Sequence, residues 1–198
     1  MMERMEELVS LASEPLQQRF STELDQIMLC MKDNIELLGD GLLNALQVAV
    51  DEAACMQNAE KKGAIAYISF SLLQSNLLLE KYAFRIDVYD ERFLIDDNEA
   101  ASEWDFSLLL QKLDTNFDVV ASTLRQSVIR VQEYELWELK KAYQLNYYAT
   151  TTGLLQGLVP LCLDRLSLDG IDAMPEVQFT VGPYMEKQLS FYQWRREA

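Results

Sequence analysis

Apolar residues recur at every third or fourth position through the first 60 residues of the chain. This spacing is typical of amphipathic helices, because it places the apolar side chains on one face. It predicts one helix over residues 13–38, with Ser13 as its N-cap and Pro15 in its first turn. A second helix is predicted over residues 42–60, after the glycine-containing stretch Gly39–Gly41.

The segment 64–82 has a different pattern, since its polar residues do not gather on one side of a helical wheel. These residues are Ser69, Ser71, Gln74, Ser75 and Asn76. A helix that is apolar on every side is buried on every side. The sequence therefore predicts a central buried helix over 64–82, whose polar groups bond to neighbouring backbone or line a polar cavity.

The stretch Phe84–Asp97 alternates apolar and acidic residues at close to every second position. This period predicts two strands, 84–89 and 92–96, which form a β-hairpin around Asp90 and Glu91. An isolated hairpin is only marginally stable in water, so it must pack on the helices. Its apolar side chains would make that contact, and its acidic face would be exposed to solvent.

Helical spacing returns after the hairpin and predicts further helices. Their ranges are 103–113, 117–148, 154–166 and 184–195. The predicted fold class is therefore all-α. We expect a single multi-helix, bundle-like domain over residues 1–198, with a buried central helix and one small β-hairpin insert at 84–97.

The formal net charge of −15 bears on the choice of partner. A field of that sign repels phosphate backbones and attracts basic proteins, so binding to nucleic acid is not expected. The three cysteines are widely spaced among apolar residues, which favours reduced thiols in a cytoplasmic protein. No stretch of about 20 mostly apolar residues occurs, so no membrane segment is predicted.

The absence of histidine excludes several classes of enzyme. It removes serine and cysteine nucleophiles that imidazole activates, together with metal sites that need imidazole. No glycine-rich phosphate-binding loop occurs, and no cofactor is predicted. A magnesium-dependent phosphohydrolase with carboxylate ligands remains as an alternative, and its ligands would be Glu135 and Glu138, one turn apart in a predicted helix.

The leading prediction is a non-enzymatic protein-binding module of a bacterial-type cytosol, without a metal. It would act as an inhibitor, immunity or adaptor protein for a basic protein partner. Aromatic side chains would anchor the partner and carboxylates would steer it. The expected partner-binding residues are Asp87, Tyr89, Asp90, Glu91, Phe93, Asp96, Asp97, Trp104, Trp194 and Arg195.

A third interpretation is a sensor that binds a small molecule. Its pocket would lie beside the predicted central helix 64–82, where small polar side chains are embedded in an apolar segment. Ser71, Gln74 and Ser75 would then contact the ligand. The three interpretations stay open at this point, because the sequence contains no motif that selects one of them.

Overall fold

The computed structural model describes residues 2–168 and 170–195, although the side chains of Met2, Glu3, Leu77 and Leu78 are outside that description. Within these ranges, long helices accompany a five-stranded mixed β-sheet. The predicted all-α bundle with one small hairpin is therefore wrong. The error arises because segments that were predicted as helices form strands of the sheet.

The helices occupy much of the regions in which helical spacing was found. Their bounds are α1 Met2–Asp33, α2 Ile35–Asn58, α3 Gln74–Leu78, α4 Leu113–Ser127 and α5 Glu133–Leu163. The break between α1 and α2 falls at Asn34, so the predicted break at Gly39–Gly41 is wrong. Pro15 and Pro160 both lie inside helices, and neither proline ends its helix.

The strands are β1 Ile65–Leu72, β2 Ala83–Asp90, β3 Ala101–Asp105, β4 Ala173–Pro183 and β5 Leu189–Arg195. Their order in the sheet is β3-β2-β1-β4-β5. β1 pairs with β2 in the antiparallel direction and with β4 in the parallel direction, and the remaining neighbours are antiparallel. A parallel pair needs a long crossover connection, and residues 73–172, which include β2 and β3, connect β1 to β4.

The central position of β1 explains why this strand resembled a buried helix in the sequence. Ser69 and Ser71 lie on one face of β1 and Ile68 and Phe70 on the other, and all four side chains are buried. β1 does alternate apolar residues with Ser69 and Ser71, but only over residues 68–72, and both faces of the strand are buried, as in a buried helix. The predicted helix 64–82 is therefore wrong, because only α3 within it is helical.

The sheet has one apolar and one polar face. The apolar face carries Ile68, Phe70, Phe84, Ile86 and Trp104, and α2 packs against β2 and β3 on this side. The polar face carries Ser69, Ser71, Arg85, Asp87, Tyr89 and Thr180. Because successive side chains of a strand point to opposite faces, the register of β1 with β2 and β4 fixes this division.

The chain divides into two compact units. The first contains residues up to Asn34 and Leu108–Gly153, and α1 packs against α4 within it. The second contains Ile35–Ser107 and the residues from Leu154 onward, and it holds α2 and the whole sheet. The expectation of one domain over residues 1–198 stays a prediction.

The predicted hairpin is correct in its first strand only. β2 covers the predicted strand 84–89, but Phe93–Ile95 forms a 3-10 turn where the second strand was expected. The chain reverses through Phe93, whose φ is 54°, and pairs with β2 again only from β3. The predicted helix 184–195 is also wrong, since this segment contains β5.

Candidate functional site

Asp87 lies on β2 with its carboxylate on the polar face of the sheet, where only 2% of the residue is exposed. Arg85 donates from Nε to Asp87 Oδ1 at 2.8 Å, and its Nη2 lies 3.1 Å from Glu99 Oε2. Burial raises the pKa of Asp87, because lost solvation outweighs the attraction of the Arg85 guanidinium. The prediction that Asp87 faces solvent to steer a partner is therefore wrong.

Asp90 and Asp96 belong to a buried ion-pair network at the end of β2. Lys62 Nζ pairs with Asp96, and both side chains are fully buried. Arg92 Nη2 donates to Asp90 Oδ2 at 2.7 Å and to Asp96 Oδ1 at 3.0 Å. These two carboxylates are therefore matched by internal cations, and the prediction of an exposed acidic face is wrong for them.

Burial raises the pKa of Asp90, but hydrogen bonds to its carboxylate lower that pKa by more. The Arg92 side chain and the backbone N–H groups of Arg92 and Gly63 all donate to its carboxylate. Together they lower the pKa of Asp90 to about 2. Asp90 is thus charged at neutral pH, and the hydrogen bonds that it accepts hold the turn after β2.

The predicted aromatic anchors are largely internal. Tyr89 is buried, and this burial raises the pKa of its hydroxyl. Phe93 is half-buried, with its ring centre 4.5 Å from that of Tyr67 and 5.5 Å from that of Tyr89. Trp104 lies on the opposite, apolar face and stacks on Phe84 at 6.2 Å. Tyr89 and Trp104 are therefore both buried, and their role as anchors stays a prediction.

The remaining predicted partner-binding residues are accessible, but they lie on different parts of the sheet. Glu91 and Asp97 are exposed in the loop that follows β2. On β5, Trp194 is half-buried and Arg195 is exposed, with Arg195 Nε 3.3 Å from Glu176 Oε2. Since β1 and β4 separate β2 from β5, the structure does not gather these residues into one surface.

β5 forms one of the two edges of the sheet, opposite β3. None of its side chains is fully buried, and Phe191, Tyr192 and Trp194 are half-buried. In the described part of the chain, β5 pairs with β4 alone. The outer edge of β5 therefore presents unpaired backbone N–H and C=O groups beside aromatic side chains.

Glu135, the first proposed metal ligand, makes a local structural contact. Its Oε1 accepts from Arg4 Nε at 2.6 Å, and its Oε2 accepts from the backbone N–H of Gln132 at 2.7 Å. The hydrogen bond from Arg4, then that from Gln132, lowers the pKa of Glu135. Glu138 is exposed, and the described residues contain no cluster of three or more Cys, Asp or Glu side chains that could hold a metal ion.

The residues proposed for a small-molecule sensor are not brought together. Ser71 is buried on the polar face of β1, whereas Gln74 and Ser75 are exposed on α3. The same polar face nevertheless contains buried atoms without a hydrogen-bond partner in the described chain, among them Asp87 Oδ2 and Thr180 Oγ1. These atoms on the polar face of the sheet lack a hydrogen-bond partner, but they are buried rather than exposed to a ligand.

The first unit contains an open cleft that the sequence analysis missed. Its volume is about 390 Å³, and polar side chains of α1 and α4 dominate its lining. Glu23 is 6% exposed at this cleft. Its Oε2 accepts hydrogen bonds from Asn116 Nδ2 and, at 2.9 Å, from the Tyr147 hydroxyl.

The network below Glu23 continues into the core of the first unit. The Tyr147 hydroxyl lies 2.9 Å from the Tyr143 hydroxyl. Burial raises the pKa of Glu23, and the hydrogen bond from Tyr147, the charge of Lys112 and the hydrogen bond from Asn116 only partly oppose it. A carboxyl group with a raised pKa in a cleft is the type of group that functional sites use.

One signal in the sequence marks Glu23. The buried positions of α1 around it are Phe20, Ile27 and Met31, so Glu23 lies on the apolar stripe of its own helix. A carboxylate on such a stripe is rarely left inside without partners. Leu24, the apolar residue beside Glu23 in the sequence, is half-buried and conceals this signal, because a helical pattern drawn through Leu24 passes over Glu23.

Comparisons of the chain with family models, with curated proteins and with solved structures found no match. Among the described helices, none combines the length and the apolar character needed to cross a bilayer. The β5 edge and the Glu23 cleft are the two features of the structure from which a function can be inferred.

Proposed function

We propose that the protein is a non-enzymatic protein-binding module that pairs the outer edge of β5 with an extended segment of a basic partner. The supporting observation is the position of β5, a strand of seven residues at the end of the sheet. An exposed strand edge is a template for a further strand, and this mode of peptide recognition recurs in many proteins.

The two edge strands of the sheet differ in how well they are protected against pairing with another chain. β3 has five residues, and Glu103 and Asp105 are exposed on it. Short edge strands with charged side chains resist pairing with other chains. β5 is longer, contains no proline or lysine, and has Arg195 as its charged residue. β5 is therefore the edge that favours strand addition.

Side chains on β5 would supply specificity while its backbone supplies affinity. Trp194 and Arg195 are adjacent in the strand, so their side chains point to opposite faces of the sheet. The half-buried ring of Trp194 offers an apolar contact, and Arg195 is already paired with Glu176. In this proposal Trp194 anchors the partner, and the exposed carboxylates Glu91 and Asp97 contribute to steering.

The net charge of −15 favours a basic partner, because opposite charge accelerates encounter. Cys30, Cys55 and Cys162 are unpaired, as expected in a reducing cytoplasm. An inhibitor, immunity or adaptor protein would have these properties. The buried residues Asp87 and Asp96 have no part in the contact.

The test uses a labelled synthetic peptide in which valine and lysine alternate, measured by fluorescence anisotropy. One variant combines Ser190→Lys with Gln193→Lys on β5, where both positions are exposed. The matched control combines Ser122→Lys with Gln126→Lys on exposed positions of α4. Lysine on an edge strand opposes further pairing, and it also repels a basic peptide.

We expect the wild-type protein and the α4 variant to bind the peptide alike, and the β5 variant to bind at least about tenfold more weakly. Binding should weaken as salt rises, because the attraction between the charges is screened. Equal binding by the β5 and α4 variants, or no binding to the wild-type protein, would refute the proposal.

A further inference from the structure

We propose that the cleft between α1 and α4 binds a free amino acid, with its ammonium group on Glu23 and its carboxylate on Arg19. This site is distinct from the β5 edge and does not depend on the proposed protein-binding function. The cleft volume of about 390 Å³ lies within the range of roughly 300–1,000 Å³ that is usual for small-molecule sites.

Glu23 provides a fixed acceptor at the cleft. Both of the protein hydrogen bonds that it accepts, from Asn116 and Tyr147, end on Oε2. Oε1 accepts no hydrogen bond from the described residues and belongs to a side chain that lines the cleft. A donor from a ligand can therefore bind Oε1 while Oε2 stays held in place.

Arg19 provides the complementary cation on the same lining. It is half-buried and makes no ion pair or hydrogen bond with another residue in the described part of the chain. Lys112, which also lines the cleft, donates a hydrogen bond to Gln26. The planar guanidinium of Arg19 can bind a ligand carboxylate through two parallel hydrogen bonds, which a lysine ammonium does not offer.

The carboxylate of Glu23 and the cations on the same cleft together favour a ligand that carries both charges. A cation alone would meet Arg19 and Lys112, and an anion alone would meet the carboxylate of Glu23. A molecule with both charges a few bonds apart satisfies Glu23 and Arg19 together, and a free amino acid is the simplest such molecule. Ligand binding would also offset the solvation that Glu23 loses on folding, because an ammonium group stabilises its charged form.

The experiment titrates the full chain with each proteinogenic amino acid and follows amide chemical shifts by NMR at neutral pH. Acetate and methylammonium serve as single-charge probes. The variants are Glu23→Gln, which keeps the size and an acceptor oxygen, and Arg19→Ala. The matched control is Arg125→Ala, since Arg125 is an exposed arginine of α4 that pairs with Glu133 outside the cleft.

We expect at least one amino acid to bind with a Kd below about 1 mM and to shift amides of α1 and α4. Glu23→Gln and Arg19→Ala should each weaken binding about tenfold or more, because each removes a charged hydrogen bond. Arg125→Ala should bind as the wild-type protein does, and the single-charge probes should bind more weakly than the amino acid.

Three results would overturn the inference. The first is no amino-acid binding by the folded wild-type protein. The second is binding that survives both Glu23→Gln and Arg19→Ala. The third is binding of acetate or methylammonium that equals the binding of the amino acid, because one charged contact would then suffice.

Discussion

Individual hydroxyl groups in the core differ in whether they have a partner. Thr180 Oγ1 is buried on β4 without a hydrogen-bond partner in the described chain, whereas Thr151 Oγ1 donates to the carbonyl of Tyr147 at 3.0 Å. A buried hydroxyl without a partner loses its hydration and gains nothing in return. Two residues of the same type therefore have opposite expected contributions to stability.

Substitution of Thr180 by valine should leave the free energy of unfolding unchanged or raise it by up to about 1 kcal/mol. The matched change Thr151→Val should lower it by about 1 kcal/mol, because a satisfied hydrogen bond is lost. Urea denaturation measures both values. A clear loss of stability in Thr180→Val, equal to that in Thr151→Val, would show that Thr180 does have a partner.

Asp90 should make the folded protein less stable as the pH falls. Its pKa falls from 3.8 in the unfolded chain to about 2 in the folded protein, so its contribution is present above pH 3.8 and is lost as pH falls toward 2. Asp90→Asn should lower the free energy of unfolding by about 2 kcal/mol at neutral pH. Denaturation curves across pH should show this difference shrinking in acid, and a difference independent of pH would contradict the assignment.

Glu23 should make the folded protein less stable as the pH rises. Because burial raises its pKa, the folded protein holds the proton more tightly, and the ionised carboxylate lowers stability as pH rises through the folded-state pKa. Glu23→Gln should therefore be more stable than the wild-type protein at neutral pH and equally stable in acid, where the carboxyl is protonated in both states. The same denaturation series measures this, and a less stable Glu23→Gln at neutral pH would argue against it.

At the scale of elements, the central and edge strands should differ in protection from hydrogen exchange. The backbone of β1 is paired on both sides, whereas β5 is paired on one side in the described chain. Amides of β1 should therefore exchange slowly and those of β5 faster. Exchange followed by NMR tests this, and helical connectivities over residues 65–72 would contradict the sheet.

The sequence predicted elements well where one face stayed polar. Much of α1, α2, α4 and α5 was identified because the helical period survives in half-exposed helices. β1 was missed because the alternation of apolar residues with Ser69 and Ser71 is confined to residues 68–72, and both faces of the strand are buried. Its isoleucines and aromatic residues were the remaining sign of a strand.

The candidate sites were predictable only in part. Trp194 and Arg195 were expected on a helix and lie instead on β5, and their role in partner binding stays a prediction. The acidic residues after Phe84 were misjudged for two reasons. The nearby Arg85 and Arg92 pair with Asp87, Asp90 and Asp96, and Lys62, which also pairs with Asp96, comes from elsewhere in the chain. Spacing along the sequence reports which side chains share a face, but it does not report which cation meets a carboxylate after folding.

At the scale of the whole molecule, a strongly acidic surface accompanies a sheet with one weakly protected edge. In the proposed function, the net charge of −15 would set which partners approach, and the edge of β5 would set what kind of segment can be held. Asp87, Asp90 and Asp96 are instead buried in the second unit and paired with internal cations. We therefore propose a contact through the backbone of β5 rather than through an acidic hairpin.

The most direct test is an isotope-edited NMR experiment on the labelled protein with the unlabelled valine–lysine peptide. We expect cross-strand nuclear Overhauser contacts between the peptide backbone and Leu189–Arg195, with the largest amide shifts confined to β5 and its neighbour β4. Contacts that lie on β3 or on the helices, or a bound peptide with no cross-strand contacts to β5, would contradict it.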